Sequence, residues 1–250
     1  MIHPTAIIDP TAECDADVDV GPYAIVGAGV RLGAGTTLAP HAVILGGTTL
    51  GRKNVVGAFA VIGALAQDKR GSSEAGVLRV GDGNTFREHV TVHCGTSGPT
   101  VIGNDNLFMV ASHVGHDTTV GNAVTVSNAV LLAGHVSVED YVTLGGGAAV
   151  AQHVVLGESA FVAGGAMVER DVPPFVVVQG DRARVRGLNK VGLRRRGFDA
   201  AAITSLERAL RRLLFGKETL SVRAEPLLHS SDERVARLAR AMLGSTCRDR

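Results

Sequence analysis

The side chains of this sequence best suited to chemistry are histidines, and several gather around the segment Ser112–His113–Val114–Gly115–His116–Asp117. Two more histidines, His135 and His153, follow Asp117 at intervals of eighteen residues. Imidazole gains and loses a proton near neutral pH, so a histidine cluster can supply a general acid or base. A carboxylate such as that of Asp117 can orient a neighbouring imidazole for this task.

Three interpretations of the histidine cluster are open from the spacing alone. One histidine can act as a general base on a hydroxyl or an amine. Several histidines on adjacent turns of a repetitive fold can instead bind zinc. The third interpretation is a set of stacked surface histidines that only form hydrogen bonds. No glycine-rich phosphate loop of the P-loop or Rossmann type accompanies the cluster.

The elements that position the cluster are indicated by an apolar residue at every sixth position. Every step of six from Ile102 to Val168 reaches an apolar residue, and the same register runs from Ile2 to Ile62. An α-helix has a period of 3.6 and an alternating strand a period of 2, so neither explains the pattern. Six-residue units of one short strand and one corner explain it, with three units per coil. The predicted fold class is an all-β parallel β-helix.

Residues eighteen apart are expected to stack in columns along this β-helix. Two columns pass through the histidine cluster. The first contains Asp117, His135 and His153. The second contains His113, Leu131, Ala149 and Met167.

Two interruptions of the register predict excursions from the coil. Residues 64–79 leave it, because two acidic residues, the first of them Asp68, would otherwise point into a dry core. A second excursion near residues 94–100 carries Gly and Pro turn signals and shifts the register by four. Counting that shift brings His93 close to His116. Excursions of this kind commonly carry binding surface.

The repeat ends at Asp171–Val172–Pro173–Pro174, since two prolines cannot donate the hydrogen bonds of a strand ladder. We therefore predict the β-helix over residues 1–181 and a small C-terminal α-helical domain over residues 182–250. Two helices are predicted in this domain, one beginning after the N-cap residue Asp199 and one over residues 232–243.

Composition agrees with this organisation and divides the chain by charge. The 250 residues include 32 Gly, 4% aromatic residues and no Trp, which suits a narrow prism with glycine at some corners. Residues 182–250 carry 17 Lys and Arg against 7 Asp and Glu, a net charge of +10. Residues 1–181 carry 8 against 17, a net charge of −9. The asymmetry indicates either a basic module for an acidic or phosphorylated partner or a solvated basic helix face.

The sequence also sets expectations for location and assembly. It shows no secretory signal and no run of 18 apolar residues, so we expect a cytoplasmic protein with no membrane span and no nucleic acid partner. Three widely spaced Cys predict neither a disulfide framework nor a zinc site. The flat faces of a prism offer little depth for a cleft, so we expect a trimer with pockets completed by a second subunit.

Four strings of residues carry a resemblance to a known family. They are S-H-V-G-H-D-T-T-V-G-N (112–122), L-A-G-H-V-S-V-E-D (132–140), D-V-P-P-F-V-V-V-Q-G (171–180) and G-L-R-R-R-G-F (192–198). With the repeats, and in order over essentially the whole chain, they resemble the bacterial acyl-carrier-protein–UDP-N-acetylglucosamine O-acyltransferases. Hexapeptide repeats alone are shared with other acyltransferases and with a zinc carbonic anhydrase class, which stays as a further alternative.

This resemblance implies a left-handed coil, a homotrimer with sites between subunits, and the first step of lipid A biosynthesis. In that step a (3-hydroxy)acyl chain passes from the phosphopantetheine of acyl carrier protein to the 3-position of UDP-N-acetylglucosamine. No bound cofactor and no metal are implied. The basic C-terminal domain suits the acidic carrier protein as a partner.

The resemblance also implies roles for individual residues. His116 is the general base, Asp117 supports it, and the backbone N–H of Gly134 stabilises the oxyanion of the tetrahedral intermediate. The substrate-binding residues fall into groups for the sugar and acyl groove, the loop that holds the sugar, and the nucleotide diphosphate. These are His113, His135 and Gln152 for the groove; Asp68 with Lys69 or Arg70 for the loop; and Asn189, Arg195 and Arg196 for the diphosphate. We add His93 from its predicted closeness to His116.

Two departures from the family pattern, and one retained position, bear on the substrates. Ala151 replaces the usual His before Gln152, and Val191 replaces an acidic residue, so a sugar with a 3-amino group is an alternative acceptor. The resemblance implies a hydrocarbon ruler whose floor is Met167. Three rungs of ~4.8 Å place Met167 about 14 Å from the catalytic level, which predicts a chain of about ten carbons.

Overall fold

The computed structural model describes residues 1–69 and 76–244, and in these ranges the sixfold apolar pattern forms a parallel β-helix. Most strands are two residues long, with the first side chain facing outward and the second buried. In the strand His113–Val114, for example, Val114 is fully buried and His113 is half-buried. Leu132, Val150 and Val168 continue the buried column above Val114. The predicted fold class is confirmed.

The described residues form twenty-seven strands. In chain order they are β1 (Ile7–Ile8), β2 (Glu13–Cys14), β3 (Asp19–Val20), β4 (Ile25–Val26), β5 (Arg31–Leu32), β6 (Thr37–Leu38), β7 (Val43–Ile44), β8 (Thr48–Leu50), β9 (Val55–Val56), β10 (Val61–Ala64), β11 (Leu78–Val80), β12 (Thr85–Phe86), β13 (Thr91–His93), β14 (Thr100–Ile102), β15 (Leu107–Phe108), β16 (His113–Val114), β17 (Thr119–Val120), β18 (Thr125–Val126), β19 (Leu131–Leu132), β20 (Ser137–Val138), β21 (Thr143–Leu144), β22 (Ala149–Val150), β23 (Val155–Leu156), β24 (Phe161–Val162), β25 (Met167–Val168), β26 (Val176–Gln179) and β27 (Arg184–Leu188).

These strands line three faces of a prism. The first face is a nine-stranded sheet from β1 to β25, the second an eight-stranded sheet from β2 to β23, and the third a ten-stranded sheet that ends with β26 and β27. From β1 to β25, successive strands along the chain belong to successive faces, so strands that hydrogen-bond to each other lie one coil apart. A corner of the prism lies between each pair of consecutive strands.

Strand pairing confirms the columns expected from the repeat. His113 pairs with Leu131, Leu131 with Ala149, and Ala149 with Met167, each pair eighteen residues apart. The coils that contain the excursions are longer. Val61 pairs with Thr91, thirty residues on, and Thr91 pairs with His113, twenty-two residues on. The interval of twenty-two residues is four longer than the regular eighteen, which confirms the predicted shift of four residues.

One corner of the prism carries the first of the two predicted columns. Asp117, His135 and His153 occupy equivalent positions there, with φ values of +58°, +61° and +64°. Asp, Asn and His adopt this left-handed conformation more readily than most residues. Because the three share one backbone conformation at one corner of successive coils, their side chains stack.

The C-terminal part joins a sheet extension to four helices. The repeat was expected to end at the two prolines, but β26 still pairs in parallel with β24, and β27 adds an antiparallel strand. The sheet therefore extends past residue 181. The helices are α1 (Lys190–Arg195), α2 (Ala200–Leu214), α3 (Leu220–Leu228) and α4 (Glu233–Gly244).

Two of these helices match predicted helices. Asp199 caps α2 by accepting a hydrogen bond from the backbone N–H of Ala202 at 2.7 Å, as predicted, and α4 corresponds to the helix predicted over residues 232–243. The short α1 and the Pro226-containing α3 were not predicted. None of the helices formed by the described residues is long and apolar enough to cross a membrane.

Candidate active site

His116 and Asp117 form a hydrogen-bonded pair at the corner between the nine-stranded and eight-stranded faces. Nδ1 of His116 lies 2.6 Å from Oδ2 of Asp117. The two side chains are only 7% and 5% exposed. Strand β16 places them, because Val114 fills the core and the chain then turns through Gly115 to the corner. A histidine held this firmly by a carboxylate has the arrangement of a general base and its orienting partner.

The carboxylate of Asp117 is surrounded by donors from the excursion between β13 and β14. Backbone N–H groups of Thr96, Ser97 and Gly98 donate to it at 2.8–3.1 Å. The hydroxyls of Thr96 and Ser97 donate at 2.7 and 3.1 Å. The backbone N–H of Asp117 donates in turn to the Thr100 hydroxyl at 2.9 Å. The excursion therefore packs on the His116–Asp117 pair.

These contacts determine the ionisation of Asp117. Burial opposes ionisation of Asp117, but hydrogen bonds from His116 and from the Thr96 and Gly98 backbone outweigh it and hold the carboxyl pKa far below its usual value. An ionised carboxylate only accepts hydrogen bonds, so Nδ1 of His116 must be the donor. The neutral imidazole then carries its lone pair on Nε2, the atom that can accept a substrate proton.

Gly134 lies directly against the free nitrogen of His116. A Cβ built on Gly134 would stand 2.6 Å from Nε2 and 2.7 Å from Cε1 of His116. Any larger residue would therefore cover Nε2 of His116. The Gly134 backbone N–H has no acceptor within residues 1–69 and 76–244, so it is available to a substrate oxygen beside Nε2.

Two further histidines adjoin the pair on the nine-stranded face. His93 is buried, and its ring meets that of His113 edge to face, with centroids 4.9 Å apart. Burial, with the nearby His93 and His116, lowers the pKa of His113 to about 4. Burial and His116 also lower the pKa of His93. Thr91 Oγ1 lies 2.8 Å from Nδ1 of His113. At neutral pH His113 is a neutral hydrogen-bonding group.

The outer edge of the site is a histidine stack on successive coils. The rings of His135 and His153 lie parallel with centroids 4.6 Å apart, and His135 meets His116 edge to face at 5.1 Å. Nε2 of His135 is 3.8 Å from the Asp117 carboxylate. The predicted column of Asp117, His135 and His153 is thus formed. Gln152, the residue before His153, is exposed beside this stack.

His116, Asp117 and His135 also satisfy the distance requirement for a metal site, with one donor atom from each within 4.8 Å of the others. The donor set fits a cation poorly. The Asp117 carboxylate already accepts hydrogen bonds from the 96–98 turn and from Nδ1 of His116. Zinc sites need ligands whose lone pairs are free. The arrangement suits proton transfer better than metal binding.

The predicted diphosphate residues form a second cluster at a different corner. Asn189 and Arg195 line a cavity of about 470 Å³ with Tyr141 and Phe161. Asn189 is buried and caps α1 by accepting a hydrogen bond from the backbone N–H of Gly192 at 3.1 Å. Arg195 is exposed at the end of α1. It is the cationic group of this cluster most available to a ligand.

Arg196 is held by the protein itself. Its Nη1 donates to Oε1 of Glu158 at 2.6 Å and also to the Ser159 hydroxyl. Its guanidinium lies 3.6 Å from the centre of the Tyr141 ring. Glu158 also accepts a hydrogen bond from Arg237 of α4. These contacts give Arg196 a clear role in joining α1 to the β-helix.

The two clusters lie at opposite edges of the eight-stranded face. His135 precedes β20, at the corner shared with the nine-stranded face, whereas Tyr141 follows β20, at the corner shared with the ten-stranded face. The structure therefore brings His93, His113, His116, Asp117, Gly134 and His135 together. It places Asn189, Arg195 and Arg196 at the opposite edge of the eight-stranded face.

The remaining predicted residues are on other parts of the chain. Asp68 is half-buried and Lys69 is exposed in the chain after β10, while Arg70 lies outside the described residues. Met167 is 39% exposed on β25, three rungs from His113.

The sequence did not point to the residues that hold the candidate site residues in place. Thr96, Ser97 and Gly98 were recognised only as turn residues, and Glu158 and Tyr141 were not singled out. Column arithmetic could have found one of these, since Tyr141 stands eighteen residues before Ser159 at one corner. The contact of residues 96–98 with Asp117 depends on a loop conformation that the six-residue period does not determine.

Comparison with known sequences places this geometry in a family. A family model described as domain 2 of UDP N-acetylglucosamine O-acyltransferase matches residues 171–248. The acyl-[acyl-carrier-protein]–UDP-N-acetylglucosamine O-acyltransferase of Stenotrophomonas maltophilia strain R551-3 is 50% identical over 216 residues, 85% of this chain and 82% of the relative. The enzyme of the same name from Janthinobacterium sp. strain Marseille is 45% identical over 83% and 80% of the two chains.

Solved structures give the same result. LpxA of Acinetobacter baumannii superposes with a TM-score of 0.93 at 34% identity, over 98% of both chains. The UDP-N-acetylglucosamine acyltransferase of Arabidopsis superposes with a TM-score of 0.83 at 34% identity, over 98% of this chain and 95% of that one. Fold and corner site thus define the class: this is a hexapeptide-repeat acyltransferase with a left-handed parallel β-helix. Within that class, the chain belongs to the acyl-[acyl-carrier-protein]–UDP-N-acetylglucosamine O-acyltransferase family.

Proposed function

We propose that this protein transfers a (3-hydroxy)acyl chain from acyl carrier protein to the 3-hydroxyl of UDP-N-acetylglucosamine, with His116 as the general base. One observation carries the catalytic part of the proposal. Nδ1 of His116 donates to a carboxylate 2.6 Å away, so Nε2 is the acceptor and faces the space kept open by Gly134. The family names of the relatives support the choice of substrates.

The reaction then follows from the positions of three groups. Nε2 of His116 takes the proton of the sugar 3-hydroxyl as its oxygen attacks the thioester carbonyl carbon. The new C–O bond gives a tetrahedral intermediate, whose oxyanion accepts a hydrogen bond from the Gly134 N–H. The C–S bond breaks, and His116 returns the proton to the phosphopantetheine sulfur. Asp117 stays ionised throughout and stabilises the imidazolium that forms.

The neighbouring imidazoles bind rather than transfer protons. His113 is neutral over most of the physiological range because its pKa lies at about 4. It can therefore donate or accept a hydrogen bond with the sugar or the thioester without changing its charge. His93 and His135 border the same space and complete its polar wall. Gln152 extends this wall outward.

A homotrimer accounts for the separation of the two clusters. The base is at one edge of the eight-stranded face and the Arg195 cluster at the other. A single UDP-sugar reaches a base and a phosphate-binding cation together if the second group comes from a neighbouring subunit. Three-fold closure is the symmetric way to supply each site with a neighbour. Asp68, with Lys69 or Arg70, then holds the sugar from the excursion after β10.

The donor protein is proposed to meet the basic C-terminal part. Residues 182–250 carry a net charge of +10, and acyl carrier protein is acidic. No cofactor takes part, since the activated acyl group arrives on the phosphopantetheine of the carrier.

A 3-amino sugar is the alternative acceptor. Two observations favour it: Ala151 and Val191 stand where the family pattern has His and an acidic residue. Val191 lines the same cavity as Arg195, so this replacement changes the wall of the proposed nucleotide site. An amine attacks through the same base and oxyanion donor, so the geometry around His116 suits both acceptors.

The acyl chain is proposed to have about ten carbons. Leu131, 51% exposed, and Met167 stand on the outward column above His113 and offer an apolar strip along the axis. Three rungs of ~4.8 Å give about 14 Å between His113 and Met167, enough for roughly 10–12 carbons. Met167 then ends the strip.

One incubation tests the proposed acceptor and reaction together. The protein is mixed with 3-hydroxydecanoyl acyl carrier protein and equal amounts of UDP-N-acetylglucosamine and its 3-amino analogue, and products are identified by mass. We expect the O-acylated sugar. Exclusive formation of the amide would assign the alternative acceptor, and the absence of any acylated sugar would overturn the transferase assignment.

A further inference from the structure

The excursion between β13 and β14 was expected to carry substrate-binding surface, and the structure gives it a different role. Its residues 96–98 form a turn whose three consecutive N–H groups point at the Asp117 carboxylate. Consecutive backbone N–H groups in a turn form an anion-binding concavity. Here the anion is a side chain of the protein itself, and it is the one that contacts the base.

We propose that the 96–98 turn is a cradle that fixes Asp117 and, through it, the tautomer and direction of His116, with Thr96 as the positioning residue. This inference rests on the proposed function only for its effect on rate. The fixed tautomer is a property of the free protein.

The cradle contacts both carboxylate oxygens, and the backbone N–H of Thr96 donates to each of them, at 3.1 Å to Oδ1 and 3.0 Å to Oδ2. Oδ1 of Asp117 accepts from the backbone N–H groups of Ser97 at 2.9 Å and Gly98 at 2.8 Å. Oδ2 accepts from the Thr96 hydroxyl at 2.7 Å and from Nδ1 of His116 at 2.6 Å. With both oxygens held, rotation of the carboxylate breaks several charge-assisted hydrogen bonds at once. The carboxylate is therefore held in one orientation against His116.

Thr96 is singled out because its hydroxyl contacts the oxygen that orients the base. The Ser97 hydroxyl donates to Oδ1, which does not contact His116. Removing the Thr96 hydroxyl leaves the backbone N–H groups in place and loosens only Oδ2. A side chain with a methyl group in its place also leaves a buried acceptor short of one donor.

The backbone of the excursion is built for this turn. A Cβ on Gly95 would stand 1.8 Å from the carbonyl oxygen of Gly98, so the turn closes only with glycine at residue 95. The backbone of Asp117 is also constrained. Its φ of +58° and the hydrogen bond from its N–H to the Thr100 hydroxyl fix the direction of its Cα–Cβ bond. Both ends of the contact are thus set by backbone geometry.

The tautomer can be measured without any substrate. In 15N-histidine-labelled protein, NMR distinguishes a protonated Nδ1 from a protonated Nε2 in His116. We expect a single Nδ1-protonated form in the parent protein and in Thr96→Ser, and a mixture of tautomers in Thr96→Val. An Nε2-protonated parent, or a Thr96→Val variant with the parent spectrum, would overturn the cradle.

Steady-state kinetics on the same variants then measures the effect on the reaction. Thr96→Val should lower kcat by about tenfold with KM for the UDP-sugar unchanged, and Thr96→Ser should restore it. Thr37→Val on the distant strand β6 controls for the Thr-to-Val change. Thermal melts establish that the variants are folded. A changed tautomer with unchanged kcat would support the cradle and refute the base role of His116. Failure of the cradle and failure of the proposed function therefore give different results.

Discussion

The Cα of Gly134 and the imidazole of His116 are so close that a Cβ on residue 134 would stand 2.6 Å from Nε2. We predict that Gly134→Ala lowers kcat by ~10²–10⁴-fold, because a methyl group would cover the atom that accepts the substrate proton. Activity with acyl carrier protein donors measures the effect.

A matched control exists at the equivalent turn position of another corner. A Cβ on Gly146 would meet only the Asn128 carbonyl oxygen at 3.4 Å, an ordinary contact. Gly146→Ala should keep at least half of the parent activity, and both variants should melt close to the parent protein. Equal losses in the two variants would mean that Gly134 is needed for the coil and not for the base.

Protonation of His113 should destabilise the folded protein in acid. Its pKa is about 4 when folded and near 6.5 when unfolded, so the unfolded chain binds more protons between these values. The free energy of unfolding therefore falls as pH decreases from about 7 towards 4, by about 2 kcal/mol at pH 5 from this group. Asp117, whose pKa is depressed, loses its contribution only below about pH 4.

The measurement is the melting temperature at pH 7 and pH 5, at one protein concentration, for the parent and His113→Asn. The variant should lose less stability between the two pH values than the parent, because residue 113 no longer titrates. An identical loss in both proteins would show that His113 is not responsible for the pH dependence.

Substitution of Arg195 should affect binding of the UDP-sugar, whereas substitution of Arg196 should affect stability. Arg195→Ala should raise KM for the UDP-sugar by roughly tenfold with no change in melting temperature, because an exposed phosphate-binding cation is lost. Arg196→Ala should lower stability by about 2 kcal/mol, since its guanidinium is held by Glu158 and lies against Tyr141. KM assays and thermal melts on both variants decide this.

Arg194→Ala provides the control for a change of charge alone, because Arg194 is exposed on α1 and does not line the cavity that contains Arg195. It should leave both KM and melting temperature unchanged. If Arg195→Ala and Arg194→Ala gave the same KM, the cavity would not be the diphosphate site.

Met167 should limit the length of the acyl chain. We expect the parent protein to prefer ten-carbon donors, and Met167→Gly to shift this preference towards fourteen carbons by opening the apolar strip. Competition between C10, C12 and C14 3-hydroxyacyl carrier proteins measures the preference. Met167→Leu, which keeps the volume of the side chain, should keep it. A parent that already prefers C14 would remove Met167 from this role.

Much of the fold was predictable because a strict period converts sequence distance into spatial position. The stack of His135 on His153 and the pairing of Ala149 with Met167 follow from counting eighteen residues. The slip of four residues at the second excursion was also countable, since the register before and after it is regular. The N-cap at Asp199 was recognisable from local chemistry alone.

The contacts that complete the candidate site were not predictable in this way. The cradle on Asp117 depends on the path of seven residues that leave the repeat, and a period says nothing about such a path. The ion pair of Arg196 with Glu158 joins residues thirty-eight apart, across the boundary between the coil and the helices. A resemblance can align Arg196 with a family position, but only the structure shows what its guanidinium contacts.

The measurement that tests the central claim most directly is turnover by His116→Ala beside binding of the UDP-sugar by the same variant. If Nε2 of His116 is the general base, kcat falls by ~10²–10⁴-fold, while the dissociation constant of the UDP-sugar and the melting temperature stay close to those of the parent. A folded His116→Ala variant that retains more than a tenth of the parent kcat would contradict the account.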